Sequence, residues 1–325
     1  MGTPNTPAPV VAFCRSVPPP VEIPGAQVRM GRARALPRGE LLEFVAGSSA
    51  VVTWVSERVD AAFLDAAGAG LKAVCQFAVG VDNIDLDECR RRGVMVTNTP
   101  GAVTEGTADL AWCLILAVAR RLNLADRFAR SGEYPKVGPL GPDEFLGQDL
   151  AGRNLLIVGA GRIGYAVALR SLGWGMRVSY VARSRHLEFE MAPLAAHRVE
   201  LDEGLRQADV VSIHTPLTDA TRRLFNAPRL ALLKPSAILV NTARGPIVDE
   251  AALVETLTAG RIWGAGLDVF EREPEVHPGL IGLDNCVLTP HVGSASTWSR
   301  SMMTRMVCEN ARAVLAGAQP PNRVC

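Results

Sequence analysis

The stretch that decides the fold is "NLLIVGAGRIGYAVALRSLGW", Asn154 to Trp174. A short apolar run leads into Gly159, Gly161 and Gly164, and an apolar helical pattern follows them. This order predicts a buried strand, a tight turn and a helix. Gly159 permits the turn, Gly161 lets a pyrophosphate approach the backbone, and Gly164 lets helix and strand pack closely. The stretch therefore predicts a dinucleotide site at a helix N-terminus. Its expected phosphate-binding residues are Gly159, Gly161, Arg162, Ile163 and Gly164.

The rest of the second half repeats this strand and helix pattern. Short apolar runs alternate with helical segments: "LLIVG", "RVSYV", "DVVSIH", "AILVN", "AGLDVF" and "CVLTPH". Such alternation predicts βαβ units and a parallel sheet that is covered on both faces. We therefore expect an α/β fold with a doubly wound, Rossmann-type nucleotide domain over residues 103–294.

The first half shows the same pattern more faintly, in "PVVAF", "AVVTW", "KAVCQF" and "VMVTN". It predicts a smaller, flavodoxin-like α/β domain, formed by residues 1–102 together with 295–325, because the helical stretch "SMMTRMVCENARAVLAG" is expected to pack back on it. Between the halves lies "TEGTADLAWCLILAVARRLNLADRFARSG". Its apolar spacing predicts one long helix that begins after Pro100-Gly101 and ends near Gly132.

Composition limits the classes of protein that this chain can be. Its 325 residues are enough for two domains, and 48% hydrophobic against 21% charged residues is typical of a globular protein. A net charge of +1 without basic clusters argues against a nucleic-acid partner, and no apolar run is long enough to span a membrane. Seven scattered cysteines predict free thiols and no metal site. Without a secretory signal, we expect a cytoplasmic location.

The stretch "VSYVARSRH", from Val178 to His186, points to the kind of nucleotide. A carboxylate is expected about 20 residues after the glycine motif, where it binds the ribose 2′-hydroxyl of NAD. This chain has Arg183, Ser184 and Arg185 there instead. A guanidinium, a hydroxyl and a second cation suit the 2′-phosphate of NADP(H), although both arginines could also be solvated loop charges. We expect NADP(H) to be preferred, with NAD(H) possible.

Three segments at strand ends carry polar residues that a buried strand does not need. They are "NTARGPIVDEAAL" with Arg244, "GLDVFEREP" with Glu273 and "VLTPHVGSAS" with His291. Because the carboxyl ends of parallel strands line the binding crevice, we expect these three residues to lie close together. Individually each has a structural alternative, such as a helix cap or a loop charge.

These segments resemble the D-isomer-specific 2-hydroxyacid dehydrogenases. The resemblance covers nearly the whole chain, since "FAVGVDNIDL", "VMVTNTPGAVTEGTADLAWCLILAVARR" and "HTPLTDATRRLFN" also occur in the family's order. Within the family, the chain is most similar to glyoxylate/hydroxypyruvate reductases, because it has arginine at position 183. The resemblance implies hydride transfer from NADPH to a small 2-keto acid, a D-2-hydroxy acid product, and a homodimer formed through the nucleotide domains.

The resemblance also implies the role of each site residue. His291 is the proton donor, Glu273 its partner and Arg244 the substrate anchor. The chemistry needs such a trio, because negative charge develops on the ketone oxygen as hydride arrives, and histidine can donate a proton near neutral pH. A guanidinium can orient the α-carboxylate and polarise the carbonyl. Backbone N–H groups at Val79 and Gly80 are expected to receive the substrate carboxylate.

Further positions match residues that line the nicotinamide or ribose in the family: Thr107, Thr215, Pro216, Thr242, Ala243, Asp268 and Gly293. The chain departs from the family pattern in "SGEYPKVGPLGPDEF", where some reductases carry tryptophans and a partner subunit shapes the pocket. Tyr134 and Phe145 stand there instead. The substrate preference implied by the resemblance is therefore open.

Three alternatives remain beside this interpretation. One keeps the fold but uses NAD and a larger 2-keto acid. Another is oxidation of formate or phosphite, but formate-oxidising relatives place a glutamine beside the histidine, whereas Thr289-Pro290 precede His291 here. The third is a nucleotide-sensing, corepressor-like protein without enzymatic activity, although no linker, acidic tail or peptide motif accompanies the domain.

Overall fold

A computed structural model describes residues 8–325. The chain forms two compact units: the first ends at Val103 and resumes as Ala295–Cys325, and the second is Thr104–Ser294. The first unit thus includes Val103, which the sequence assigned to the nucleotide domain. Residues 1–7 of the expected first domain lie outside the described part of the chain.

The first unit is built on a five-stranded parallel sheet. Its strands are β1 (Val10–Phe13), β2 (Gln27–Met30), β3 (Ala50–Thr53), β4 (Ala73–Gln76) and β5 (Met95–Thr97), in the order β2-β1-β3-β4-β5. This is the flavodoxin-like strand order. All residues of β3 and β4 are buried. The sequence predicted four of these strands and missed β2, because β2 is a largely exposed edge strand without an apolar run.

Short helices cover this sheet: α1 (Arg38–Val45), α2 (Ala61–Ala67) and α3 (Leu86–Arg91). Asp60 and Asp85 accept hydrogen bonds from the first-turn N–H groups of α2 and α3, which satisfies donors that a helix start leaves unpaired. Phe63 and Leu64 of α2 pack with Val74 of β4 and Val96 of β5 in one apolar cluster.

The second unit is built on a seven-stranded parallel sheet. Its strands are β6 (Asn154–Val158), β7 (Arg177–Val181), β8 (His197–Arg198), β9 (Val210–Ile213), β10 (Ile238–Asn241), β11 (Gly264–Leu267) and β12 (Cys286–Leu288), in the order β12-β11-β10-β9-β6-β7-β8. All six predicted strands are present, and the missed strand is the two-residue edge β8. The chain leaves β6 toward β7 and later returns to pair β9 on the other side of β6. Such a switch point opens a crevice at the strands' carboxyl ends.

Helices flank both faces of this sheet. In chain order they are α4 (Thr104–Ala119), α5 (Leu122–Arg130), α6 (Tyr134–Val137), α7 (Arg162–Ser171), α8 (Leu187–Glu190), α9 (Leu201–Gln207), α10 (Ala227–Leu230), α11 (Glu250–Thr258) and α12 (Pro278–Ile281). The last helix, α13 (Thr297–Leu315), belongs to the first unit and packs against β3 and β4, as expected for the C-terminal stretch. The predicted α/β class with a Rossmann-type unit is confirmed.

The prediction of one long helix between the halves is wrong. The helix breaks after Ala119, because Arg121 takes a left-handed conformation with a φ of 51° and α5 starts again at Leu122. Two tertiary contacts hold the break. The N–H of Gln148 donates to the carbonyl of Ala119 at 2.8 Å, and the guanidinium of Arg121 lies 4.5 Å from the ring centre of Trp263. The apolar periodicity of the sequence continues across the break, so it gives no sign of either contact.

The segment after the break is largely exposed. No residue of α5 or α6 is buried. The ring of Phe128 contacts those of Tyr134 and Phe145, with centroid separations of 5.7 Å and 5.2 Å. In the described part of the chain, no helix is both long and apolar enough to cross a membrane.

Candidate active site

The glycine turn between β6 and α7 has the shape that a bound pyrophosphate needs. Gly159 has a φ of 108°, and a Cβ there would lie 2.6 Å from the backbone of His214 and Thr215. A Cβ on Gly164 would lie 2.3 Å from the carbonyl oxygen of Gly159, so the helix can approach the strand only without a side chain. At Gly161, by contrast, a Cβ would meet nothing within 4 Å. The open side of the turn, at the N-terminus of α7, therefore fits a phosphate group.

The strand that follows this helix ends in the predicted 2′-phosphate segment. Arg183, Ser184 and Arg185 are all exposed after β7. Within residues 8–325, the guanidinium of Arg183 has no hydrogen bond or ion pair. It is thus available to a ligand.

Arg185 differs from its neighbour, contrary to the expectation that the two cations act together. Its Nε donates to the carboxylate of Glu190 at 3.0 Å, and the same carboxylate accepts a hydrogen bond of 2.7 Å from the hydroxyl of Tyr180. The hydrogen bonds from Arg185 and Tyr180 lower the pKa of Glu190 to about 2. Because its charge is already balanced, Arg185 offers less to a phosphate than Arg183 does.

The polar residues at the ends of β10 and β11 include the expected nicotinamide contacts. The hydroxyl of Thr242 is buried and has no hydrogen-bond partner in the described part of the chain. A Cβ on Gly293 would come within 3.3 Å of both Thr107 and Asp268, so the fold brings these three predicted residues together. An unpartnered buried hydroxyl at the end of β10 can hydrogen-bond to a polar ligand such as a nicotinamide. Ala243 follows Thr242 directly, and Thr215 and Pro216 form the loop after β9.

His291 and Glu273 form a hydrogen-bonded pair at the ends of β11 and β12. The Nδ1 atom of His291 lies 2.7 Å from Oε2 of Glu273, and the two side chains are 28% and 33% exposed. The other carboxylate oxygen, Oε1, accepts a hydrogen bond of 3.1 Å from the N–H of Phe270. Since Glu273 occupies the Nδ1 edge of the imidazole, Nε2 is the edge that can reach a substrate oxygen.

Asp268 anchors the loop that carries His291. Its Oδ1 accepts hydrogen bonds from the Thr289 hydroxyl at 2.6 Å and the Val292 N–H at 2.8 Å, while Oδ2 accepts from the Gly293 N–H at 2.8 Å. The N–H of His291 donates to the carbonyl of Asp268 at 2.8 Å. Burial raises the pKa of Asp268, although these hydrogen bonds oppose that effect. The sequence motifs placed Asp268 only among the residues that line the nicotinamide or ribose and missed this structural role.

Arg244 lies at the start of the short 3₁₀ turn Gly245–Ile247 after β10. Its Nη1 donates to the carbonyl of Ala243 at 2.7 Å, and its own carbonyl accepts a hydrogen bond of 2.9 Å from the side chain of Asn241. These bonds fix the backbone at the strand end, where the guanidinium is half-buried. Arg244, Glu273 and His291 thus follow β10, β11 and β12, which are neighbours in the sheet.

Val79 and Gly80 lie in the first unit, in the loop after β4. Asn98 donates to the carbonyl of Val79 at 2.8 Å, and Gln76 donates to that of Gly80 at 3.2 Å. Among residues 8–325, neither backbone N–H donates a hydrogen bond. The two carbonyls are hydrogen-bonded within the unit, whereas the two N–H groups remain available to an anionic ligand.

Comparisons with known proteins support one enzyme family. The family model of the D-isomer specific 2-hydroxyacid dehydrogenase NAD-binding domain matches residues 112–293. The chain is 51% identical over 288 residues to a glyoxylate reductase of Thermococcus onnurineus, covering 88% of this chain and 86% of that protein. It is 47% identical over 292 residues to a glyoxylate reductase of Pyrococcus furiosus, covering 90% and 86%.

Solved structures are similar over almost the full length. A protein of Thermus thermophilus matches with a TM-score of 0.90 at 45% identity, covering 97% of this chain and 100% of that one. An NADPH-dependent glyoxylate/hydroxypyruvate reductase of Sinorhizobium meliloti, solved with NADP and malonate, matches with a TM-score of 0.82 at 31% identity, covering 98% and 97%.

The Rossmann-type unit, its glycine turn and the histidine–glutamate pair define an oxidoreductase that uses a nicotinamide cofactor. The chain belongs to the D-isomer specific 2-hydroxyacid dehydrogenases and is similar to the glyoxylate reductases among them. The family and the enzyme class predicted from the sequence motifs are therefore confirmed.

Proposed function

We propose that this enzyme reduces glyoxylate and similar small 2-keto acids to 2-hydroxy acids, of D configuration where the product is chiral, with NADPH as the preferred cofactor. The observation that carries this proposal is the pairing of His291 with Glu273 at 2.7 Å, beside Arg244 at the neighbouring strand end. The names of the curated relatives, which are glyoxylate reductases, support the choice of substrate.

Arg244 is proposed to bind and orient the substrate. Its guanidinium can take the α-carboxylate through two parallel N–H donors and at the same time polarise the carbonyl oxygen. The free N–H groups of Val79 and Gly80 are proposed as further donors to the carboxylate. Together they would present C2 of the substrate for reduction.

When bound, the nicotinamide supplies the hydride that adds to C2. His291 is proposed to donate a proton from Nε2 to the carbonyl oxygen as charge develops there, so that the imidazolium becomes neutral imidazole. Glu273 is hydrogen-bonded to Nδ1 and so fixes the orientation of the ring. The product is a 2-hydroxy acid. In the reverse direction the same histidine would act as base.

The preference for NADPH rests on Arg183. Its free, exposed guanidinium stands where NAD-specific relatives need a carboxylate, and arginine suits a phosphate group. The solved Sinorhizobium meliloti relative is named as NADPH-dependent. Arg162, at the N-terminus of α7, and Thr107, Thr242, Ala243, Thr215, Pro216, Asp268 and Gly293 are proposed to complete the cofactor site. The cytoplasmic location stays a prediction.

A second copy of this chain is the proposed partner, bound through the nucleotide unit. Several large apolar side chains of its α5–α6 region are strongly exposed: Leu122 (58%), Val137 (57%) and Leu146 (60%). Exposed apolar residues concentrated in one segment are typical of protein interfaces. Covering this segment would remove apolar surface from water in both copies.

A rate panel tests the proposed reaction. Initial rates with glyoxylate, hydroxypyruvate, phenylpyruvate and a longer aliphatic 2-keto acid are measured with NADPH and with NADH. We expect the highest kcat/KM for glyoxylate or hydroxypyruvate with NADPH. Faster turnover of the larger acids with NADH would support the alternative cofactor and substrate, and no turnover of any acid would favour the nucleotide-sensing alternative.

A further inference from the structure

Glu250 is a buried carboxylate that lies close behind the acid–base pair. It is the first residue of α11 and is only 5% exposed. Its Oε1 accepts a hydrogen bond of 2.6 Å from the N–H of Glu271. We propose that Glu250 is a positioning residue, which fixes the segment that holds Glu273 against His291. This inference rests on the proposed function, because it assigns a role in the same reaction.

The peptide between Phe270 and Glu271 is held from two sides. On one side, Glu250 accepts a hydrogen bond from the peptide N–H. On the other side, Gly245, the residue after Arg244, packs directly against the peptide. A Cβ on Gly245 would lie 1.9 Å from the carbonyl carbon and oxygen of Phe270, so no side chain fits between them. Close packing and a hydrogen bond to a buried carboxylate therefore leave this peptide little freedom to move.

The same segment leads directly to the acid–base pair. The N–H of Phe270 donates to Oε1 of Glu273 at 3.1 Å, and Oε2 of that carboxylate lies 2.7 Å from Nδ1 of His291. The N–H groups of Phe270 and Glu271 belong to adjacent peptide groups joined at the Cα of Phe270, so the bonds to Glu250 and Glu273 restrain the same short segment. A shift of the peptide must consequently move the carboxylate that orients His291.

The placement of Glu250 also links the pair to Arg244. The two residues are the ends of one short stretch: Arg244 lies just before the 3₁₀ turn, and Glu250, beyond that turn, is the first residue of α11. Asp249 caps α11 by accepting a hydrogen bond of 3.2 Å from Ala252 N–H, which fixes the start of the helix. The stretch can therefore set the spacing between the substrate anchor and the proton donor.

Several titratable groups interact with Glu250. They are Glu271 and Glu273 from the segment after β11, and His277 from the start of α12. Arg223 pairs with Glu271 at 3.0 Å, which balances that carboxylate. Burial, followed by the repulsion from its acidic neighbours, raises the pKa of Glu250, while the Glu271 N–H and His277 oppose this effect. Burial and the charge of Glu250 raise the pKa of the nearby Cys286 thiol to about 12, so this thiol stays neutral.

Three variants separate positioning from general structural loss. Glu250→Ala removes the acceptor, Glu250→Gln keeps an acceptor oxygen of the same reach, and Glu255→Ala changes an exposed carboxylate on the same helix as a matched control. The spectroscopic readout is the downfield proton resonance of the hydrogen-bonded His291 imidazole N–H in the full-length protein. Its loss in His291→Asn assigns it.

We expect Glu250→Ala to weaken or shift this resonance and to lower kcat about tenfold, less than the ~10²-fold that a 1 Å misplacement can cost. KM for NADPH should not change. Glu250→Gln should restore the resonance and kcat, and Glu255→Ala should match the unmodified enzyme.

An unchanged resonance in folded Glu250→Ala would overturn the inference, even if the rate fell. If Glu250→Ala does not fold, Glu250→Asp carries the same test, since it withdraws the carboxylate from the Glu271 N–H but keeps its charge. The resonance is measured without turnover. If the enzyme reduces no 2-keto acid, the proposed function therefore fails while the positioning role of Glu250 is still decided.

Discussion

Nδ1 of His291 lies 2.7 Å from Oε2 of Glu273, and the backbone of His291 has a positive φ of 54°. A residue other than glycine reaches this left-handed region only at a cost of about 1–3 kcal/mol, so the surrounding structure must hold it there. Asp268 does so by accepting the His291 N–H at its carbonyl and the next two N–H groups at its carboxylate. The strained conformation directs the imidazole at Glu273.

The first prediction concerns this pair. His291→Asn should lower kcat by about 10²–10⁴-fold, the usual contribution of a positioned proton donor. Glu273→Gln should lower it less, because the donor remains but loses the carboxylate that orients it. Binding of NADPH, followed by fluorescence titration, should be unchanged in both. His197→Asn, at an exposed edge strand, is the control. A His291→Asn enzyme with more than about one tenth of the normal kcat would exclude His291 as the donor.

The second prediction concerns the choice of cofactor. Arg183→Asp should raise KM for NADPH by about 10- to 100-fold, since a hydrogen bond to a charged group contributes about 1.5–3 kcal/mol. KM for NADH should change little, because NADH has no 2′-phosphate. The control is Arg261→Asp, which makes the same charge change at another exposed site of the nucleotide unit. Equal effects on both cofactors would mean that Arg183 is an ordinary solvated charge.

The third prediction concerns stability and its pH dependence. Asp209 is 7% exposed and accepts hydrogen bonds of 2.9 Å from the Asn154 N–H and from Lys234. Burial alone would raise its pKa, but these partners hold the pKa below the ordinary 3.8. Because the pKa of Asp209 is lower in the folded state than in the unfolded state, ionised Asp209 stabilises the fold at pH values above the unfolded-state pKa. This contribution is lost as the pH falls through the folded-state pKa.

Asp209→Asn should therefore reduce the free energy of unfolding by about 1–3 kcal/mol at pH 7. The difference from the unmodified protein should shrink below about pH 4. Urea unfolding at several pH values measures both effects, and Asp219→Asn, an exposed carboxylate in the same unit, is the control. A difference that stays constant down to pH 3 would show that the ionised form of Asp209 does not contribute.

The fourth prediction concerns assembly. Val137→Glu and Leu146→Glu place charges on the exposed apolar segment and should convert a dimer into monomers, as measured by light scattering at micromolar concentration. Ile281→Glu changes a side chain that is equally apolar and 69% exposed, but lies outside that segment, and should leave the dimer intact. The proposed interface is wrong if the unmodified chain is a monomer, or if all three variants behave alike.

Much of the fold could be predicted from the chain alone. Buried parallel strands leave continuous apolar runs, so β3, β4, β6 and β9 were recognisable. Two of the four edge strands, β2 and β8, were not, because an exposed strand or one of only two residues leaves no such run. The break at Arg121 was also missed, since the contacts that hold it come from Gln148 and Trp263.

The sequence by itself determined the family, the nucleotide turn and the residues of the acid–base pair, because each depends on a local order of glycines, strands and polar residues. Only the tertiary structure decided which of two neighbouring arginines is free, since Glu190 pairs with Arg185 and leaves Arg183 exposed. It alone placed Glu250 behind Glu273. Hydrogen bonds between distant segments form only when the chain folds, and they leave no periodic pattern in the sequence.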